Sequence, residues 1–218
     1  MPAIDKDPFA PMDAPDPRDE LPLFPLNAVL FPGGLLRLTV FEARYLDLMA
    51  DCLRQGTSFG VVALLSGGEV RRQADDAVSF ESVGTRAELI DADSDKPGIL
   101  QVRCRGTRRF RIDSSRRQSD GLQLACALPI DDDPALAPTP ALEASVRGLA
   151  STIATLAANA EPPFLEPYRF DDAGWVANRW CEILPISKAA RQKLMELPDP
   201  MVRLQLVDDF LRSKGVVN

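Results

Sequence analysis

The chain opens polar and turns apolar abruptly. Residues 1–20 hold five prolines and six acidic residues with few large apolar side chains, the make-up of a disordered tail. From Leu21 the run LPLFPLNAVLFPGGLLRLTV is apolar, interrupted by Pro22, Pro25 and Pro32 and turned at Gly33-Gly34. Proline suits sheet edges and turns rather than central strands. The segment therefore predicts short strands around a tight turn, with Leu36, Leu38 and Val40 alternating. Phe41, Tyr45, Leu48, Met49, Cys52 and Leu53 then recur at helical spacing. They predict a helix from Glu42 to Arg54, with Glu42 at the positive end of its dipole and Gly56 as the stop.

Strand patterning resumes beyond that helix. SFGVVALL is a short buried run ending at Ser66-Gly67-Gly68, and VSFESVGTRAELIDAD gives two extended pieces around Gly84. ILQVRCRGTRRFRID reads as a hairpin turning at Gly106-Thr107, and GLQLACALPI as a last strand. Three aspartates and three prolines in DDDPALAPTP, residues 131–140, predict a linker.

Everything after it is helical in period. Leu142, Val146, Leu149, Ile153, Leu156 and Ala157 form one stripe between Ala141 and Ala160. Further helices are expected at Asp172 to Leu184, Lys188 to Leu197, and after Asp199, an N-cap with Pro200 at the first helical position. Trp175 and Trp180 read as interior anchors. The predicted fold class is α+β, a closed or half-closed β barrel with one helix (21–130) followed by an α-helical bundle (141–214).

Composition narrows the chemistry. The chain contains no histidine, which removes Ser-His-Asp and Cys-His catalysis and mixed Cys/His zinc sites. None of the 13 glycines precedes a lysine, so there is no phosphate loop, and Gly-x-Ser-x-Gly is absent. Cys52, Cys104, Cys126 and Cys181 are widely spaced in apolar settings and read as free, mostly buried thiols. No cofactor or metal is expected. The N-terminus lacks the basic start and apolar stretch of a secretory signal, and no apolar run reaches the ~20 residues needed to span a bilayer, so a cytoplasmic location is expected. A net charge of −7 speaks against membrane docking and general nucleic-acid binding. Ser187 next to Lys188 reads as an N-cap, because adjacent helical side chains diverge.

LPLFPLNAVLFPGGLLRLTVFEARYLDLM resembles the opening of the Lon substrate-binding domain, the segment that begins Lon-family ATP-dependent proteases. FGVV at 59–62, VGTRAEL at 83–89, GTRRFRI at 106–112, and the late series Lys193, Leu194, Leu197, Asp199, Arg203, Leu204 extend the likeness to about Leu211. The resemblance implies a pseudobarrel related to the PUA fold, a following helical bundle, and recognition of protein substrates or partners. The ATPase and Ser-Lys peptidase domains of such proteases have no counterpart in these 218 residues, so ATP-driven proteolysis is not expected of them.

Three groups of residues are candidates for a site. Pro25, Leu26, Leu30 and Phe31 either line an apolar groove for extended peptides or belong to the core. Glu42, Arg44 and Tyr45 either bind a ligand beside the Phe31–Gly34 turn or cap, pair and pack locally. Alternation places Arg103, Arg105, Arg109 and Arg111 outward on one face, opposite Leu100, Val102, Cys104, Phe110 and Ile112. Residues 99–117 carry a local +6 against −13 elsewhere. That face either anchors an acidic peptide or RNA, or pairs with Glu81, Glu88, Asp91 and Asp93. The leading expectation is a non-catalytic module binding unfolded polypeptide or a partner protein. The alternatives are a hydrolase using carboxylates in the cleft between lobes and an RNA-binding module working through the arginine hairpin.

Overall fold

The structure is a computed structural model that describes residues 20–66, 78–159 and 162–217. The expected tail up to Asp19 and the Gly67-Gly68 turn lie outside the described residues.

Seven strands form the first half: β1 (Glu20–Leu26), β2 (Leu35–Val40), β3 (Phe59–Ser66), β4 (Ser79–Phe80), β5 (Val83–Lys96), β6 (Ile99–Arg117) and β7 (Gln123–Pro129). β1 lies antiparallel to β7 and parallel to β3, and this double pairing closes a ring in the order β1, β7, β6, β5, β3. Closure removes the open edges of the long strands. β2 runs along the first half of β6, and β4 along the end of β3. Helix α1 (Ala43–Gln55) buries Tyr45, Leu48, Met49 and Cys52 against the ring. It ends at Gly56 in the left-handed conformation (φ 66°), as its glycine predicts. Phe41 and Leu53, expected inward, are exposed, because the helix begins only at Ala43 and its buried stripe is narrower than the apolar spacing suggests.

One expectation fails instructively. Gly106-Thr107 is no hairpin turn: β6 runs unbroken through it for 19 residues, and the chain reverses instead just before Ile99, where Gly98 has φ 77°. Between the pairs Ala87↔Gly106 and Thr85↔Arg109, β5 advances two residues while β6 advances three. One extra residue in a strand exchanges its faces. Val102 and Cys104 fill the first core with Ala87. Beyond the bulge, Phe110 and Ile112 pack on the other face with Leu21, Leu23 and Val62. Arg109 thereby changes sides and is buried (3% exposed), which corrects its expected outward position.

A single 3-10 turn (Pro140–Leu142) leads into α2 (Glu143–Asn159), α3 (Ala173–Ile183), α4 (Lys188–Glu196) and α5 (Pro200–Ser213). Ser187 caps α4 by accepting the Ala190 amide at 3.1 Å, and Asp199 caps α5 by accepting from Met201 and Val202. Helix α3 is buried from Ala173 to Cys181, so the other helices surround it. Trp175 and Trp180 are interior, the latter donating its indole N–H to the Ser145 carbonyl at 3.0 Å. Leu156, expected on the buried stripe of α2, is exposed near that helix's end.

The halves interlock at residues 30–34. Leu30 points into the core of the sheet half and Phe31 into the helical core beside Trp175. Thr85 Oγ1 donates to the Leu30 carbonyl (2.7 Å), and Arg179 Nη2 to that of Pro32 (3.0 Å). Gly106 accepts from Gly33 N–H and donates to Gly34 C=O. A Cβ on Gly106 would overlap the Phe31 carbonyl oxygen, so glycine is needed here for close approach.

A second tie crosses the seam. Asp133 in the segment after β7 binds two buried arginines, Arg109 of β6 (2.7 Å) and Arg203 of α5 (2.6 Å). Arg109 also donates to the carbonyls of Met195, Leu197 and Asp131. Arg203 donates to Leu194 C=O, Leu197 C=O and Asn178 Oδ1. Burial lowers the proton affinity of Arg109, and Asp133 opposes that shift.

Two stability outcomes follow, both readable by thermal or urea unfolding. Gly106→Ala should destabilise by ~1–3 kcal/mol, because the backbone contact leaves no room to relax. Asp133→Ala, which strands two buried cations, should cost about 3–5 kcal/mol. Asp131→Ala, whose contribution is a carbonyl, should change stability by no more than about 0.5 kcal/mol.

Candidate functional site

A cleft of about 690 Å³ opens where the bulge of β6 faces the N-terminus of α3. Its walls carry five arginines and four carboxylates: Arg86, Arg105, Arg108, Arg109 and Arg169 against Glu88, Asp132, Asp133 and Asp172. Gly33, Gly106 and Gly174 contribute backbone, and Trp175 an aromatic edge.

Every carboxylate of the cleft is engaged by an arginine. Arg105 binds Glu88 at 3.1 Å, Arg108 binds Asp132 at 3.2 Å, Arg109 binds Asp133, and Arg169 binds Asp172. Asp172 in addition caps α3, accepting the amides of Gly174 (2.9 Å) and Trp175 (3.1 Å). The pairs differ in depth. Arg109–Asp133 lies in the seam, whereas both partners of Arg105–Glu88 and Arg108–Asp132 keep about half or more of their side-chain surface in solvent. Exposed pairs of that kind hold weakly and exchange readily.

The candidate residues from sequence meet different fates. Pro25, Leu26, Leu30 and Phe31 are all buried, so they belong to the core and do not line a groove. Tyr45 is buried, its ring stacked on Phe24 with centroids 3.9 Å apart. Arg44 pairs with Glu42 at 2.7 Å, donates to Gly121 C=O at 3.0 Å and lies over the Tyr45 ring, so this trio serves local packing. The four arginines do not share a face. Arg103 and Arg105 stand on one side of β6, Arg109 and Arg111 on the other, because of the bulge. Of the acids expected to pair with them, Glu88 does so with Arg105, and Asp91 lies opposite Arg103 in the ladder.

Sequence reasoning missed Asp132, Asp133, Asp172, Asn178, Arg179 and Arg203. A signal existed for two of them. AGWVANRWC carries one charge in nine residues and has no solvated face, which forces Asn178 and Arg179 inward. Asp133 had no signal of its own, since a run of acids before proline reads equally as a linker.

Burial shapes the titration of three interior groups. Cys104 and Cys181 are pushed up to about 12 by desolvation, which leaves them thiols and poor nucleophiles at neutral pH. Glu182 touches the Gly33-Gly34 turn and pairs with Arg179 at 2.8 Å. Burial raises it from 4.5 to about 7, against the pull of Arg179 and Arg191. Among the described residues, no group of three or more acids and cysteines is placed to hold a metal ion.

Because Glu182 holds its proton more tightly folded than unfolded, its contribution is fully present below about 4.5 and is lost as pH rises through about 7. Urea midpoints of the wild type should therefore fall across that window. Glu182→Gln should flatten the slope there, and an unchanged slope would remove Glu182 as its source.

The family model for the ATP-dependent protease La (LON) substrate-binding domain matches residues 20–213. The crystal structure of a Lon N-terminal domain protein from Xanthomonas campestris is 35% identical, with a TM-score of 0.68 over 87% of this chain and 96% of that one. The N-terminal domain of Mycobacterium avium complex Lon protease shares 15% identity and the fold, with a TM-score of 0.59 over 89% of this chain and 98% of that one. No curated protein matches the sequence. With nearly all of its described length matched and a relative at 35% identity, the chain belongs to the Lon substrate-binding domain family.

Proposed function

We propose that this chain binds an unfolded polypeptide or a partner protein in the cleft between its halves, without chemical turnover and without ATP. The observation that carries the reading is the cleft itself, a space of about 690 Å³ with polar groups and an aromatic edge in its walls where the sheet half meets the helices, in a family named for substrate binding. The polar side chains of the walls and the edge of Trp175 suit an extended chain, whose own amides and side chains need partners of both kinds.

The chemistry of the walls favours binding over catalysis. A general acid or base needs a carboxylate free to exchange its proton, and the four here are each held by arginine. The thiols raised by burial are unreactive, and the chain has no histidine. RNA binding through an arginine face loses support as well, since Arg109 is buried and Arg105 is paired. In the same reading, the closed ring with α1 is a pseudobarrel of the PUA kind and the helices form a bundle. The lobes then span 21–130 and 141–214, joined by residues 131–140.

Fluorescence anisotropy of a labelled, permanently unfolded polypeptide titrated with the protein tests this. Saturable binding at micromolar protein, the same with and without ATP, is expected. No binding up to ~100 μM, equivalent to about −5.5 kcal/mol or weaker, overturns general polypeptide capture.

A further inference from the structure

We infer that the cleft selects acidic polypeptide segments, and that Glu88 and Asp132 occupy its arginines as stand-ins for the carboxylates of the ligand. This inference rests on the binding reading above and adds the chemical class of what is bound.

The argument begins with charge. In a chain of net charge −7, the cleft and the seam behind it gather six arginines, the five of its walls plus Arg203, around four carboxylates. The surplus there is positive, and Asp172, one of the four carboxylates, is already committed to capping the α3 N-terminus. The arginines divide by mobility. Arg109 and Arg203 are immobilised by Asp133 and by carbonyls of the seam. Arg105 precedes the bulge of β6 and Arg108 lies within it, exposed by 56% and 54%, and each is held by a single exposed carboxylate.

A pair of that kind is a poor stabiliser of the fold, since its Coulomb gain is screened and two long side chains are restrained. It does keep a guanidinium extended toward the cleft in the geometry that grips a carboxylate. A ligand carboxylate entering from solvent meets an arginine already oriented, and displaces Glu88 or Asp132 into water at little cost. Basic segments meet the reverse, because every acid in the cleft is already bound.

The exposed partners allow a test that does not depend on stability. The full chain is titrated against a labelled Glu-rich Gly/Ser peptide and against its Gln and Lys counterparts, at low and at raised salt. The wild type should bind the Glu peptide about tenfold or more tightly than the Gln peptide, with the margin shrinking as salt screens it. Arg105→Gln with Arg108→Gln should abolish most of that margin. Glu88→Gln with Asp132→Asn should widen it by roughly three- to tenfold, a gain that no loss of fold can imitate. Equal binding of Glu and Gln peptides by the wild type overturns the acidic preference and leaves polypeptide binding standing. A margin unchanged in both double variants assigns the preference to other residues and overturns the role of this cleft. Binding of none of the three peptides overturns the acidic preference, and the unfolded-polypeptide titration then decides the binding reading by itself. Preference for a uridine oligonucleotide over the Glu peptide overturns this one in favour of RNA.

Discussion

One carboxylate holds the two halves of this molecule in register. Asp133 lies between Arg109 of the sheet and Arg203 of α5, and the three groups leave one positive charge in excess in a buried seam. Such an excess is tolerable only if dipoles replace water. Here the carbonyls of Asp131, Leu194, Met195 and Leu197 and the amide oxygen of Asn178 all point at the guanidinium groups. The arrangement contributes little net stability compared with apolar packing of the same volume, because desolvating ions is costly. What it supplies is a unique answer to how the halves sit. A carbonyl cluster made by the end of α4 and the turn into α5 accepts two arginines in one relative position, whereas two greasy surfaces could slide.

The bulge in β6 is the local event that makes this possible. Without the extra residue between Gly106 and Arg109, the alternation of Val102 and Cys104 would continue, and Arg109 would stand on the opposite face from the seam. With it, Arg109 swings under α4 while Phe110 secures the opposite face against Leu21 and Leu23. Gly106 sits at the same place because the 30–34 loop passes so close to the strand that any Cβ would strike Phe31. Bulge, glycine and loop therefore form one device, and the cleft is the space left beside it.

That device also explains what could and could not be read from the amino-acid sequence. The helices were legible because their buried stripes and caps are local: Ser187 and Asp199 act where their positions suggest, and Gly56 ends α1. That the first half is a run of strands with one helix was legible in outline, and so was the likeness to the Lon family. The register of β6 was not. Glycine followed by threonine signals a turn as readily as a close approach, and the choice depends on Phe31, 75 positions earlier in the chain. Once the turn was read there, strict alternation put Arg109 in solvent. The groove reading of Leu30 and Phe31 suffered from the same non-local ambiguity, since neighbours along the chain enter two different cores.

The site follows from the seam rather than standing beside it. Because Arg109 and Asp133 are spent on holding the halves, the cleft floor is rigid and electrostatically committed. The exposed pairs Arg105–Glu88 and Arg108–Asp132 can change partners without loosening the fold. Both rim arginines lie within three residues of Gly106, so the bulge that positions the buried arginine also displays the exposed ones. On the proposed binding reading, a surface assembled this way separates two demands that often conflict. Affinity can be adjusted at the rim through exposed charges, while the buried pair keeps the geometry those charges act from.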